Sequence, residues 1–84
     1  MDEEILVFPN PTVSWVNIQL STGGGNVVLS IVDLTGKTVQ QNTFETRNGL
    51  NLLKMNMQGI ASGTYLVHIQ RGDRKFVAKI VVNH

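Results

Sequence analysis

The sequence has no cysteine, only two prolines and few charged side chains. Without cysteine, neither a disulfide nor a cysteine-ligated zinc can stabilise the chain, so stability must come from packing and strand pairing. Asp, Glu, Lys and Arg make up 15% of the residues, below the usual share of about 25%. The formal net charge of +1 is too small to steer the chain to DNA, RNA or an anionic membrane. We therefore expect no nucleic-acid partner.

Long apolar runs are also missing. None approaches the roughly 20 residues needed to cross a bilayer, so we expect no membrane insertion. The first residues, Met1 to Glu4, are acidic where a signal peptide is basic. Such an acidic cluster at a chain end is more often solvated than bound to calcium, and no metal is predicted. The 84 residues have room for one core, which predicts a single domain, 1–84.

The apolar residues recur every second position, and no window shows the three-and-four spacing of a helix. Strands are therefore predicted along the whole chain. Pro9, Asn10 and Pro11 predict a rigid corner after the first strand, because two prolines remove backbone donors and hold Asn10 extended. The predicted strands lie at residues 5–8, 16–21, 27–32, 37–44, 53–57, 65–70 and 74–82.

Glycine-rich and Asn/Asp-rich segments separate these strands and predict turns. Tyr65 enters a strand after a corner that contains Gly63. Immunoglobulin-like sandwiches place a tyrosine there so that its hydroxyl can bond to the backbone. The sequence therefore predicts an all-β fold, an immunoglobulin-like β-sandwich of about seven antiparallel strands, with a small barrel as the alternative. The predicted turns are Gly23–Gly25, Asp33–Gly36, Arg47–Gly49 and Arg71–Arg74.

No segment predicts a catalytic or cofactor site. Gly36-Lys37-Thr38 resembles the end of a phosphate-binding loop, but Ile31 stands where the leading glycine belongs, and no helix follows. A hairpin turn is the better interpretation. Gly23-Gly24-Gly25 lacks the spacing of a dinucleotide fingerprint and predicts a flexible loop.

The two histidines, His68 and His84, are too few for a multi-histidine metal site. No serine has the sequence context of a catalytic nucleophile. Arg71-Gly72-Asp73 spells a tripeptide that adhesion receptors bind, but a Gly-Asp pair between two strands also predicts a turn. We expect no enzyme activity and no cofactor. The serines considered are Ser14, Ser21, Ser30 and Ser62.

Trp15 is the one residue that the alternation leaves open. It lies on the face opposite Val16 and Ile18, so it is either exposed or covered by a loop. An exposed tryptophan could stack on sugar rings, which keeps a carbohydrate-binding or adhesive module as the alternative function. A structural spacer between domains is a further alternative. Arg71, Arg74, Lys75 and Lys79 form a basic end that either protects a sheet edge or docks a partner.

Four segments, taken together, carry a resemblance to a known family. In order and spacing they resemble the type A C-terminal sorting domains of the type IX secretion system, and the match covers nearly the whole chain. The stretch that follows Pro9-Asn10-Pro11, around Trp15, departs from the family's usual polar sequence. The segments are Val7–Thr12, Ile31–Val39, Ile60–Val67 and Lys79–Val82.

The resemblance implies an immunoglobulin-type domain at the C-terminus of a secreted cargo protein. It implies a non-catalytic signal that the type IX outer-membrane translocon and its shuttle proteins recognise. It also implies a sortase-like protease that acts upstream of the domain. The expected destination is the cell surface or the medium, through the periplasm and across the outer membrane.

The motif positions of the family correspond to nine residues of this sequence. Most predict a structural role, because they form corners and turns. Lys37 and Lys79 have no predicted structural role, so they are candidates for contact with the secretion machinery. The last strand, residues 74–82, and the basic end are further candidates. The nine are Pro9, Asn10, Pro11, Asp33, Gly36, Lys37, Gly63, Tyr65 and Lys79.

Overall fold

The computed structural model describes residues 5–9 and 14–83. These residues contain five strands and no helix, so the all-β prediction is confirmed. The five strands form one antiparallel sheet, in which β2 is flanked by β1, β3 and β4, and β4 pairs with β5. The strands are β1 (Ile5–Phe8), β2 (Trp15–Asp33), β3 (Thr38–Asn56), β4 (Gly63–Arg71) and β5 (Arg74–Val82).

The prediction of about seven strands was wrong for the described residues, because two expected turns lie inside strands. β2 continues through Gly23–Gly25, and β3 continues through Arg47–Gly49. The two segments face each other in one long hairpin, whose register is the same before and after them, with Thr22 opposite Gly49 and Asn26 opposite Glu45. Glycines with positive φ, such as Gly24 at +96°, let both strands bend without losing their pairing.

The bend exchanges the two faces of both strands. In β2 the buried residues are even-numbered up to Thr22 and odd-numbered from Val27 to Ile31, after which Val32 is buried at a bulge. In β3 the same change occurs between Thr46 and Leu53. The period of two therefore holds on each side of the bend but not across it, as expected where a strand turns a corner between two layers.

The bend divides the curled sheet into two halves. The three-stranded half contains β1, residues 15–23 of β2 and residues 48–56 of β3. The four-stranded half contains residues 38–46 of β3, residues 25–33 of β2, β4 and β5. Buried side chains of both halves form one hydrophobic core, so the curled sheet encloses it. The largest fully buried ones are Ile18, Leu20, Leu29, Ile31, Met55, Met57, Ile69 and Ile80.

The predicted hairpin turns at the other positions are confirmed. Asp33 to Lys37 join β2 to β3, and Gly72 and Asp73 join β4 to β5. The second part of β2, residues 28–33, pairs on both edges, with β3 and with β4. Among the described residues no helix is long and apolar enough to span a membrane.

Candidate recognition surface

The corner between β3 and β4 is held by Tyr65. Its side chain is almost fully buried, and its hydroxyl donates a hydrogen bond of 2.6 Å to the carbonyl oxygen of Ala61. The amide of Ile60 donates to the carbonyl of Met57, which tightens the preceding turn. The predicted bond between the tyrosine hydroxyl and the backbone at this corner is therefore confirmed.

Asp33 organises the turn between β2 and β3. Its Oδ1 accepts hydrogen bonds from the hydroxyl and the amide of Thr35 and from the amide of Lys37, at 2.5, 2.9 and 3.0 Å. The Thr35 hydroxyl, followed by the Lys37 amide, lowers the pKa of Asp33 below its ordinary value. Gly36 supplies the positive φ of +93° that closes the turn. Gly36 and Lys37 thus belong to a hairpin turn, and Thr38 begins a strand, β3, and not a helix.

The motif residues of the four-stranded half converge at one end of the sheet. Asp33 pairs with Tyr65, which pairs with Ile80, and Leu66 in the next row pairs with Lys79. Three motif segments that are distant in sequence therefore meet where β2 ends, β4 begins and β5 ends. We call this the motif end.

The start of β2 also lies at the motif end. The amide of Met57 donates to the carbonyl of Ser14 at 2.6 Å, next to the corner that Tyr65 holds. Pro9 follows β1 and is exposed. Asn10 and Pro11, and with them the rest of the predicted rigid corner, lie outside the described residues.

The opposite end of the sheet contains the bend, and we call it the glycine end. The hydroxyl of Thr22 accepts from the amide of Gly24 at 3.2 Å, and the hydroxyl of Thr46 donates to the carbonyl of Gly25 at 2.7 Å. Nε of Arg71 donates to the carbonyl of Gly24 at 3.2 Å. Both hydroxyls are buried, and these bonds supply partners to the backbone where its alternation is broken.

Arg71 therefore has a structural role in the Arg71-Gly72-Asp73 tripeptide. Gly72, with φ of +60°, and Asp73 form the two-residue turn between β4 and β5, as predicted. The basic residues were expected to form one end of the domain, and the structure distributes them differently. Arg71 and Arg74 lie at the glycine end, Lys75 follows Arg74, and Lys79 lies near the motif end, so the positive charge runs along β5.

β5 is an edge strand, since among the described residues it pairs only with β4. Its outward side chains are Lys75, Val77 and Lys79, all exposed, and Val77 is 54% accessible. They pair with Gln70, His68 and Leu66 of β4. A shallow groove adjoins this row on the outer face of the four-stranded half. Its lining includes Val28, Ser30, Val32, Leu66, His68 and Lys75.

The remaining candidates are dispersed. His68 lies on the outer face, between Ser30 and Val77 in the pairing. Within residues 5–9 and 14–83 no three His, Asp or Glu side chains are grouped so that they could hold a metal ion. Lys37 is exposed at the β2–β3 turn, three strands away from Lys79.

Trp15 is 48% exposed and begins β2 on the outer face of the three-stranded half. Three leucines of the same half, Leu6, Leu50 and Leu52, are more than half exposed. Sequence reasoning missed Leu50 and Leu52, because they lie between the predicted turn at Arg47–Gly49 and the strand predicted from Leu53. The signal that could have found them is their spacing of two, which places both on one face of β3.

A family model described as the secretion system C-terminal sorting domain matches residues 6–83. No curated protein sequence matches the chain. Domains of this family are sorting signals for type IX secretion and are generally non-catalytic. Membership implies interaction with the secretion system and export across the outer membrane to the cell surface or the medium. The match spans both halves of the sheet and both of its ends, and the chain belongs to the family of type IX secretion C-terminal sorting domains.

Proposed function

We propose that the folded domain is a non-catalytic signal, which the type IX translocon and its shuttle proteins recognise to export the cargo upstream of it. A sortase-like protease then acts on the chain upstream of the domain. The observation that supports this best is the convergence of the motif segments at one end of the sheet, where Asp33, Tyr65 and Ile80 pair in one row. The motif therefore describes a folded surface and not a linear peptide.

The proposed contact element is β5 with its outward row of Lys75, Val77 and Lys79. An edge strand can pair with a strand of the partner, and alternating side chains then provide specificity. Two cations on either side of an exposed valine suit a partner strand that carries acidic and apolar residues. Lys37, on the far side of the motif end, is the second proposed contact.

Removing the end of the chain is a poor test of this element. A deletion from Val77 onward would remove Ile80 and Val82, both of which are buried in the core. Loss of export would then follow from unfolding as readily as from loss of contact. Surface substitutions that leave the core intact are needed.

The experiment fuses the domain to a reporter in a bacterium with a type IX system and compares two variants. Lys75→Gln combined with Lys79→Gln changes the β5 row. Lys54→Gln changes an exposed lysine on the three-stranded half and is the matched control. We expect the double variant to keep its melting temperature and lose most export, and Lys54→Gln to export normally. Normal export by a folded double variant would contradict the role of β5.

The alternative function is a carbohydrate-binding or adhesive module centred on Trp15. Its half-exposed ring favours this alternative, since an accessible indole can stack on a sugar ring. Titration of the domain with a polysaccharide panel, followed by tryptophan fluorescence, tests it. Trp15 is the only tryptophan of the chain, so a saturable change would report this site directly.

A further inference from the structure

The two outer edges of the four-stranded half differ in their charge. One edge is β5, with Arg74, Lys75 and Lys79. The other is the first part of β3, which pairs with β2 on one side and with no other strand among the described residues. From Thr38 to Phe44 this edge has no charged residue, no proline and no glycine. It therefore lacks the charged side chains and prolines that commonly prevent an exposed edge from pairing with another chain.

The composition of this edge favours pairing. Thr38–Phe44 is seven residues long, rich in Thr, Gln and Asn, and uncharged, which is the composition of segments that add strands readily. Gln41, Asn42 and Thr43 are exposed at its centre. The side-chain amide of Gln41 donates to the hydroxyl of Ser30 on the outer face, which leaves the backbone edge uncovered by that side chain.

The charges on either side of the segment identify the occupant. Lys37 precedes it and Glu45 follows it, and both are exposed. Suppose that two copies of β3 pair antiparallel with Gln41 opposite Gln41. In a regular antiparallel pair, each residue before Gln41 then faces the residue equally far after Gln41 in the other copy. Lys37 of each copy therefore lies opposite Glu45 of the other. Opposite charges at facing positions stabilise antiparallel pairs, and like charges destabilise them. β5 paired with itself would instead place cations near cations.

We propose that two copies of this chain associate through β3, antiparallel, with Gln41 at the twofold axis and Lys37 beside Glu45 at both ends. The contact is self-complementary, as a twofold interface must be. Pairing of β3 with β2 is interrupted by a bulge between Ile31 and Val32, close to Val39. Lys37 directly precedes β3, and a displacement of one residue is about 3.3 Å along a strand, which is within the reach of the long side chains of Lys37 and Glu45. β5 stays accessible in such a dimer, whereas Lys37, the second contact proposed for export, takes part in it. The inference goes beyond the proposed export function and is tested by association of the isolated domain, not by export.

Charge reversal tests the pairing and its register together. Sedimentation equilibrium measures the dissociation constant of the isolated domain. We expect a concentration-dependent dimer, whose dissociation constant rises about tenfold in Lys37→Glu and in Glu45→Lys, and returns close to the wild-type value in the double reversal. Lys54→Glu, an exposed lysine of the same strand outside the overlap, should change nothing.

Two results would overturn the proposal. One is a wild-type domain that stays monomeric at every concentration up to the millimolar range. The other is a dimer whose dissociation constant in both single reversals and in the double reversal equals the wild-type value, since another surface would then mediate the dimer. Melting temperatures of all variants, measured in parallel, establish that each compared species is folded. Export of a reporter is a separate measurement and does not enter this test.

Discussion

The motif end and the glycine end both interrupt regular strands, but they do so by different means. At the motif end the chain reverses direction, and side chains close the turns: Asp33 accepts three hydrogen bonds, and Tyr65 donates one. At the glycine end β2 and β3 bend and continue, and Arg71 and two threonine hydroxyls bond to the glycines. The family motif falls mainly on the first end. The difference supports the proposal that these motif positions specify the shape of one end of the sheet.

The largest expected effect is at the motif end. Tyr65→Ala removes a buried ring that is 8% exposed and leaves a cavity, so we expect a loss of about 3 to 5 kcal/mol in the free energy of unfolding. Denaturant unfolding measures it. Tyr65→Phe keeps the ring and loses only the bond to Ala61, at a cost of about 1 kcal/mol.

Val77→Ala serves as the surface control for this pair. Its side chain is exposed in the edge strand, and we expect a change within about 0.5 kcal/mol. If Tyr65→Ala were as mild as Val77→Ala, the corner would not depend on the tyrosine. The motif end would then not depend on the buried tyrosine that distinguishes it from the glycine end.

The second-largest loss of stability is expected at the glycine end, where a substitution strains the backbone. Gly24→Ala forces an alanine to a φ of +96°, while the nearest atoms to its Cβ lie 3.7 Å away, so strain and not a clash sets the cost. We expect a loss of about 1 to 2 kcal/mol, or several degrees in melting temperature.

Gly23→Ala is the matched control for the bend. Gly23 has no positive φ, and its added Cβ would meet only the end of the Arg71 side chain, at 3.4 Å. This variant should unfold at the wild-type temperature or slightly above it. Equal losses from Gly23→Ala and Gly24→Ala would show that the bend does not depend on positive φ.

The smallest effect is the pH dependence of the β2–β3 turn. Hydrogen bonds from Thr35 and Lys37 lower the pKa of Asp33, so the ionised carboxylate stabilises the folded state. This contribution is present above the unfolded pKa and disappears as the pH falls through the lower folded pKa. The gap in melting temperature between wild type and Asp33→Asn should therefore narrow below about pH 4.

Thr35→Ala gives an independent check on this cause. It removes the hydroxyl that contributes most to the shift, so the pKa of Asp33 should rise towards its ordinary value. A titration of the Asp33 carboxyl by NMR measures this change. An unchanged pKa in Thr35→Ala would assign the shift to another group.

The sequence predicted those features that local chemistry determines. Asp33 with Gly36 predicted a hairpin turn, and Tyr65 predicted a corner, because each depends on residues within a few positions. Gly23–Gly25 and Arg47–Gly49 were wrongly predicted as turns, since glycine permits both a reversal and a bend. The choice between them depends on the facing strand, where Thr22 pairs with Gly49.

The candidate surface was predictable only in part. Alternation placed Lys75 and Lys79 on one face of the last strand, and the resemblance supplied the family. The position of β5 at an edge, and the separation of Arg71 from Lys79, depend on strand order, which pairs residues far apart in sequence. Leu50 and Leu52 were missed because the bend at Arg47–Gly49 was predicted as a turn, so the next strand was expected to begin only at Leu53.

The most direct test of the central proposal is export of a reporter fused to the domain, measured in a bacterium with a type IX system and in a matched strain that lacks the translocon. We predict that the reporter reaches the cell surface or the medium only when the translocon is present, and that Tyr65→Ala abolishes this export. Retention of the reporter inside the cell, despite a folded domain and a working translocon, would contradict the account.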